Sequence, residues 1–123
     1  MPLWPGTGAE DEQGKFKNIV NIPFPPRSSG ALMRQKYNAL VFPALQKFKP
    51  ELILISAGFD AHEADPLAEL NWSTEDFSWL TERLCTIASD CCDGRLVSIL
   101  EGGYDLVALA ESVKAHVMKL CEA

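Results

Sequence analysis

The sequence predicts an α/β domain built on a parallel sheet flanked by helices. Strand-patterned and helix-patterned segments alternate along the chain, one apolar run lacks any polar alternation, and the two later strand candidates end in glycine-containing turns. A length of 123 residues suits one compact core.

Residues 1–16 carry two prolines and three glycines, "PGTG" among them, without helical or strand spacing, and read as loop. Ile19, Val20 and Ile22 then predict a short strand over 17–22, ended by the prolines of "PFPPRSSG". From Gly30 to Lys49, Leu32, Met33, Tyr37, Leu40, Val41, Ala44, Leu45 and Phe48 recur at three- and four-residue steps, the signature of one apolar helical face. Pro43 disfavours helical geometry at Phe42 and cannot donate to the preceding turn, so a kink or two abutting helices are expected there.

Leu52 to Ile55 form a continuous apolar run, expected as a strand covered on both faces. After the loop "GFDAHEADPLAELNW", Ser73 or Thr74 can cap a helix, with Glu75 and Asp76 in its first turn. Phe77, Leu80, Leu84, Ile87 and Ala88 give its buried face, and Asp93-Gly94 end it. "RLVSIL" is the next strand, "EGGYD" a tight turn, and Asp105 the N-cap of a last helix running to Leu120.

A hydrophobic content of 47% against 23% charged residues is that of a folded globule, so intrinsic disorder is not expected. The net charge of −6 and the scattered basic residues argue against direct nucleic-acid binding. No apolar run approaches the roughly 20 residues of a membrane span, and the amino terminus lacks the pattern of a signal peptide. A cytoplasmic protein is expected, or a nuclear one in a eukaryote. Cys85, Cys91, Cys92 and Cys121 show neither a paired metal-binding spacing nor a disulfide framework, and read as reduced thiols.

Parallel sheets place ligands beyond the carboxyl ends of their strands, which singles out the turns after Ile55 and after Leu100. The first holds Asp60, His62, Glu63 and Asp65, which can ligate a divalent ion or serve as solvated turn residues, Asp65 before Pro66 reading also as a turn starter. In the second, Gly102 and Gly103 allow a sharp bend or close ligand approach, and Tyr104 can donate to a developing oxyanion. The same residues are open to two other readings, a phosphate cradle at the last helix or a simple strand-ending turn.

Taken in order and at their spacing, "PLWPGTGAEDE", "NIVNIPFPP", "FKPELILISAGFDAHEADPL" and "LEGGYDL" resemble the carboxy-terminal part of a zinc-dependent histone deacetylase of the class II and bacterial type. The wider superfamily includes acetylpolyamine amidohydrolases and acetoin-utilisation proteins. The resemblance implies a partial arginase/deacetylase-like fold, with residues 1–123 forming the carboxy-terminal portion of one catalytic domain. By motif match Asp60 takes the place of a zinc-ligand aspartate. Tyr104 takes that of the tyrosine that polarises the scissile carbonyl, and Gly102 and Gly103 line the pocket floor. No role transfers to Asp65, and His62 is read as a supporting or packing residue.

In that family a zinc-activated water attacks the acetyl-lysine carbonyl while a histidine accepts its proton, so zinc is the implied cofactor. The implied substrates are acetylated lysine in a protein or a small acetylated amine. The family's Asp-x-His motif and paired catalytic histidines belong to an earlier part of the domain. Upstream of Asp60 this sequence has neither, and its two histidines are His62 and His116. The expectation is therefore a segment inactive by itself, with exposed apolar faces that pair with a full-length relative or another protein.

Overall fold

The computed structural model describes residues 5–123, so the opening of the amino-terminal loop lies outside the described residues. The elements are α1 (Gly30–Lys36), a π-helical turn (Tyr37–Val41), α2 (Phe42–Phe48), β1 (Ile53–Ala57), α3 (Thr74–Cys92), β2 (Leu96–Leu100) and α4 (Leu106–Glu122). The two strands pair in parallel, with Ile53 opposite Leu96 and Ala57 opposite Leu100, and α3 is the connection between them. No helix among the described residues is long and apolar enough to cross a membrane.

The strand expected over 17–22 does not form. Lys17 adopts a left-handed backbone, its N–H bonds Gly14, and the Ile19 N–H bonds Gln13, so the backbone groups close local turns instead of a ladder. Ile19 and Val20 are exposed.

The segment 30–48 is helical throughout but not uniform. Ser29 caps it by accepting the Leu32 N–H. Pro43 lacks the N–H that would bond four residues back. The chain meets this with a widened turn just before it, in which the Phe42 N–H bonds Tyr37. Phe42 is thereby buried between Tyr37 and Trp79.

α3 matches its sequence signals closely. Ser73 and Asp76 form a reciprocal capping box, and Asp93 and Gly94 adopt left-handed conformations at the other end, where the Gly94 N–H bonds Ala88. Asp105 caps α4 through the Ala108 N–H at 2.8 Å. All four cysteines are free.

Side chains alternate across the sheet. Ile53, Ile55 and Ala57 face the helices, whereas Leu54 is 66% exposed, Val97 46% and Ile99 58%. The expectation of a strand covered on both faces is corrected: among the described residues one face of the sheet is packed and the other is bare. Two apolar clusters fill the covered side. Phe42, Ile53, Ile87, Ala88 and Cys92 lie at the amino end of the strands. Met33, Ala57, Phe59, Ala61, Trp72 and Phe77 lie at the carboxyl end, beneath the loop that follows β1.

Candidate functional site

The loop after β1 is held by its own backbone. The Trp72 N–H bonds Ala61, the Glu63 N–H bonds Trp72, and the Asn71 N–H reaches back to Ser28. Phe59 anchors the loop to the core, packing edge-on against Phe77 with centroids 5.1 Å apart. With Phe59 and Ala61 buried, Asp60 between them is turned towards the second loop.

The two loops meet beyond the last rung of the ladder. The Glu101 N–H bonds Ala57 at 2.9 Å, and the Phe59 N–H bonds Gly102 at 2.8 Å. A side chain on Gly102 would place its Cβ 2.9 Å from the Asp60 Cγ, and one on Gly58 would come 2.9 Å from Asp60 Oδ1. The carboxylate thus lies between two glycines, one from each loop, in space that only their missing side chains leave open. Gly103 has φ of +138°, and a Cβ there would strike Leu109.

Tyr104 follows, 56% exposed, and its phenol has no hydrogen-bond partner among the described residues. Its backbone is fixed instead: the Tyr104 N–H donates to Asp65 Oδ2 at 2.8 Å. Asp65 Oδ1 accepts the Leu67 N–H at 2.8 Å, closing the turn that the Asp-Pro pair announces.

The remaining candidates point elsewhere. Asp60 and His62 have the Asp-x-His spacing, but the His62 ring is turned from the carboxylate. Its Nδ1 accepts the Ala64 N–H at 3.1 Å, its Nε2 faces Thr74 Oγ1, and the ring stacks on Phe77. Both ring nitrogens thus face protein groups and not the Asp60 carboxylate. Glu63 is exposed and makes no side-chain bond among the described residues. Among the described residues no three His, Cys, Asp or Glu side chains come together around one point. The phosphate alternative fares poorly as well, because the Asp105 carboxylate already occupies the start of α4.

Sequence reasoning missed two arrangements. Asp65 is buried and joins the loops, and His116 is held inside the core between Thr81 Oγ1 at 2.7 Å and Ser98 Oγ at 2.8 Å. Burial pushes the His116 pKa below the usual histidine value. A signal for the second existed: Ser112 and His116 share the helical stripe of Leu109 and Val113, an unusual place for polar residues.

A cavity of about 740 Å³ lies between the ends of α3 and α4, and one of about 1210 Å³ between residues 16–24 and the helices of 37–48. Neither is lined by Asp60, Gly102, Gly103 or Tyr104. Asp60, Gly102 and Gly103 are half-buried beside the exposed Tyr104, outside both of these cavities.

Comparisons with known proteins bear on the family and the fold. The family described as histone deacetylase domain matches residues 1–120. Histone deacetylase 10, chloroplastic, of Oryza sativa subsp. japonica is 42% identical over 113 residues, covering 89% of this chain and 26% of the rice protein. A probable deacetylase of Archaeoglobus fulgidus is 39% identical over 109 residues, 86% of this chain and 30% of the archaeal protein. The crystal structure of the HDA15 HD domain superposes with a TM-score of 0.86 at 33% identity, over 97% of this chain and 34% of that one. The chain spans about a third or less of each of these three proteins. With its α/β core and both strand-end loops in place, it belongs to the histone deacetylase family.

Proposed function

We propose that this segment contributes the carboxylate and the tyrosine of a zinc-dependent amide hydrolase that removes acetyl groups from lysine in proteins or from small acetylated amines. The observation that carries the reading is the placement of the Asp60 carboxylate against Gly102, two residues before Tyr104, at the carboxyl ends of paired parallel strands. It is the position at which open α/β sheets hold their ligands.

Asp60 fits a zinc ion as one ligand: it is an oxygen donor, half-buried, with both oxygens free of side-chain hydrogen bonds among the described residues. When bound, zinc supplies Lewis acidity, polarising a carbonyl and lowering the pKa of its water to about 7. A catalytic zinc site commonly takes three protein ligands, so two more belong to another part of the domain, as does the histidine that accepts the proton. Tyr104 donates its phenolic proton to the substrate oxygen as negative charge develops there, an interaction worth about 10²–10³ in rate for comparable donors. Gly102 and Gly103 keep the floor beside the acyl group free of side chains. The segment is inactive by itself, and residues 1–123 are the carboxy-terminal portion of one catalytic domain.

We place the protein in the cytoplasm, or in the nucleus of a eukaryotic cell, where four reduced cysteines are at home.

The test is a segment exchange in which this chain replaces the matched 109-residue segment of the archaeal relative. Release of acetate from an acetyl-lysine peptide, lost in Asp60→Asn and lowered at least a hundredfold in Tyr104→Phe, is the expected result. A folded exchange protein whose turnover ignores both substitutions would overturn the reading.

A second reading is a non-catalytic interaction module derived from the same fold. The bare sheet face of Leu54, Val97 and Ile99 favours it, since such a face seeks a covering partner. Here the partner is a full-length relative, and the module would form mixed oligomers with it while adding no turnover.

A further inference from the structure

We propose that Asp65 is the positioning residue for Tyr104, fixing the tyrosine's backbone relative to the Asp60 loop. The inference rests on the reading of Asp60 and Tyr104 as parts of one site.

Asp65 is 8% exposed, an expensive place for a carboxylate unless each oxygen is satisfied. A turn of the Asp-Pro type needs one oxygen, and Oδ1 supplies it to the Leu67 N–H at 2.8 Å. Oδ2 is left over, and it crosses 39 residues of sequence to accept the Tyr104 N–H, also at 2.8 Å. This is the one side-chain hydrogen bond between the two loops among the described residues.

The loop carrying Tyr104 is thus gripped at two points two residues apart. Gly102 is held through its carbonyl by the Phe59 N–H, and Tyr104 through its own N–H by Asp65. Gly103, between them, takes the positive φ that lets both grips close. The phenol remains free to swing about its side-chain torsions, but the point it swings from is set. A substrate oxygen must meet that phenol within a few tenths of an ångström, and a misplacement near 1 Å costs about a hundredfold in rate.

Charge is part of the requirement. Both groups facing Asp65 are N–H donors, and a carboxylate accepts on both oxygens. An amide of the same shape has one acceptor, so Asp65→Asn turns an N–H₂ against one of the two N–H groups. Asp65→Glu keeps two acceptors at the expense of one methylene.

The experiment has two arms. In the first, amide hydrogen exchange of the full chain is followed by NMR, with the Ile53 and Trp72 amides as references for an intact fold. Asp65→Asn is expected to lower protection of the Tyr104 amide at least tenfold with the references unmoved, and Asp65→Glu to restore part of it. Unchanged Tyr104 protection, or equal loss in both variants, overturns the proposal.

The second arm uses the segment-exchange protein. There Asp65→Asn is expected to lower kcat by about ten- to a hundredfold with KM within twofold. In a Tyr104→Phe background it should add no further loss. Independent, multiplying effects would show that Asp65 does not act through Tyr104 and would sink the proposal. If the exchange protein folds and has no activity, the deacetylase reading falls, while the amide arm still decides the link between the two residues.

Discussion

Thr81 Oγ1 and His116 Nδ1 lie 2.7 Å apart across the seam between α3 and α4. The Thr81 hydroxyl spends its proton on the Phe77 carbonyl at 2.7 Å, so Nδ1 of the imidazole is the donor to it, while Nε2 pairs with Ser98 Oγ at 2.8 Å. Both ring nitrogens are thus engaged inside the core, where burial disfavours the charged form of the ring.

Because burial lowers the His116 pKa in the folded state, the unfolded chain binds the proton more readily. The stabilising effect is present above the ordinary value of about 6.5 and is lost as pH falls from there through the lowered folded pKa. Urea midpoints measured across this window are expected to fall with acid in the wild type. In His116→Gln that component of the slope should vanish.

Gly30→Ala should destabilise the chain by about 1–3 kcal/mol, since its Cβ would run into the Asp76 carboxylate. Asp76 cannot move aside cheaply. It holds Arg34 Nε at 2.9 Å and closes the capping box with Ser73. Thermal unfolding of the variant checks the magnitude.

Gly102→Ala is expected to act on the metal more than on the fold. The added Cβ would push the Asp60 carboxylate from its place, and a disturbed ligand typically loses about 10–100-fold in metal affinity. Competition with a zinc-sensitive chelator, using the segment-exchange protein, reads this directly. Its urea midpoint should stay close to the wild-type value.

Ile99→Lys places a charge in the middle of the bare sheet face. In the chain alone it should reduce self-association, seen as a shift towards monomer in sedimentation velocity. In the segment-exchange protein the same change should cost several kcal/mol, the outcome expected of a face that the rest of a domain buries.

Much of this was legible in the sequence where local chemistry decides. Ser73 with Asp76, Asp93-Gly94 and Asp105 marked their helix ends because a cap is satisfied within a few residues. The strand expected at 17–22 failed because β-branched residues make a strand only where a neighbour completes the ladder. Leu54 misled in a related way: its apolar neighbours describe an interior strand, whereas the described residues leave it bare. At the site, the loop positions and Asp60 followed from motif and topology. The bond from Asp65 to Tyr104 did not, since 39 residues separate its ends and nothing local requires it.

The stitching of the loops after β1 and β2 has a mechanical consequence. Glu101 to Ala57, Phe59 to Gly102 and Tyr104 to Asp65 form three successive rungs beyond the sheet. No hinge can lie between the carboxylate and the tyrosine that they join. The backbones that carry these two groups are held at one fixed separation, so the only freedom left between carboxylate and phenol is the rotation of the Tyr104 side chain itself.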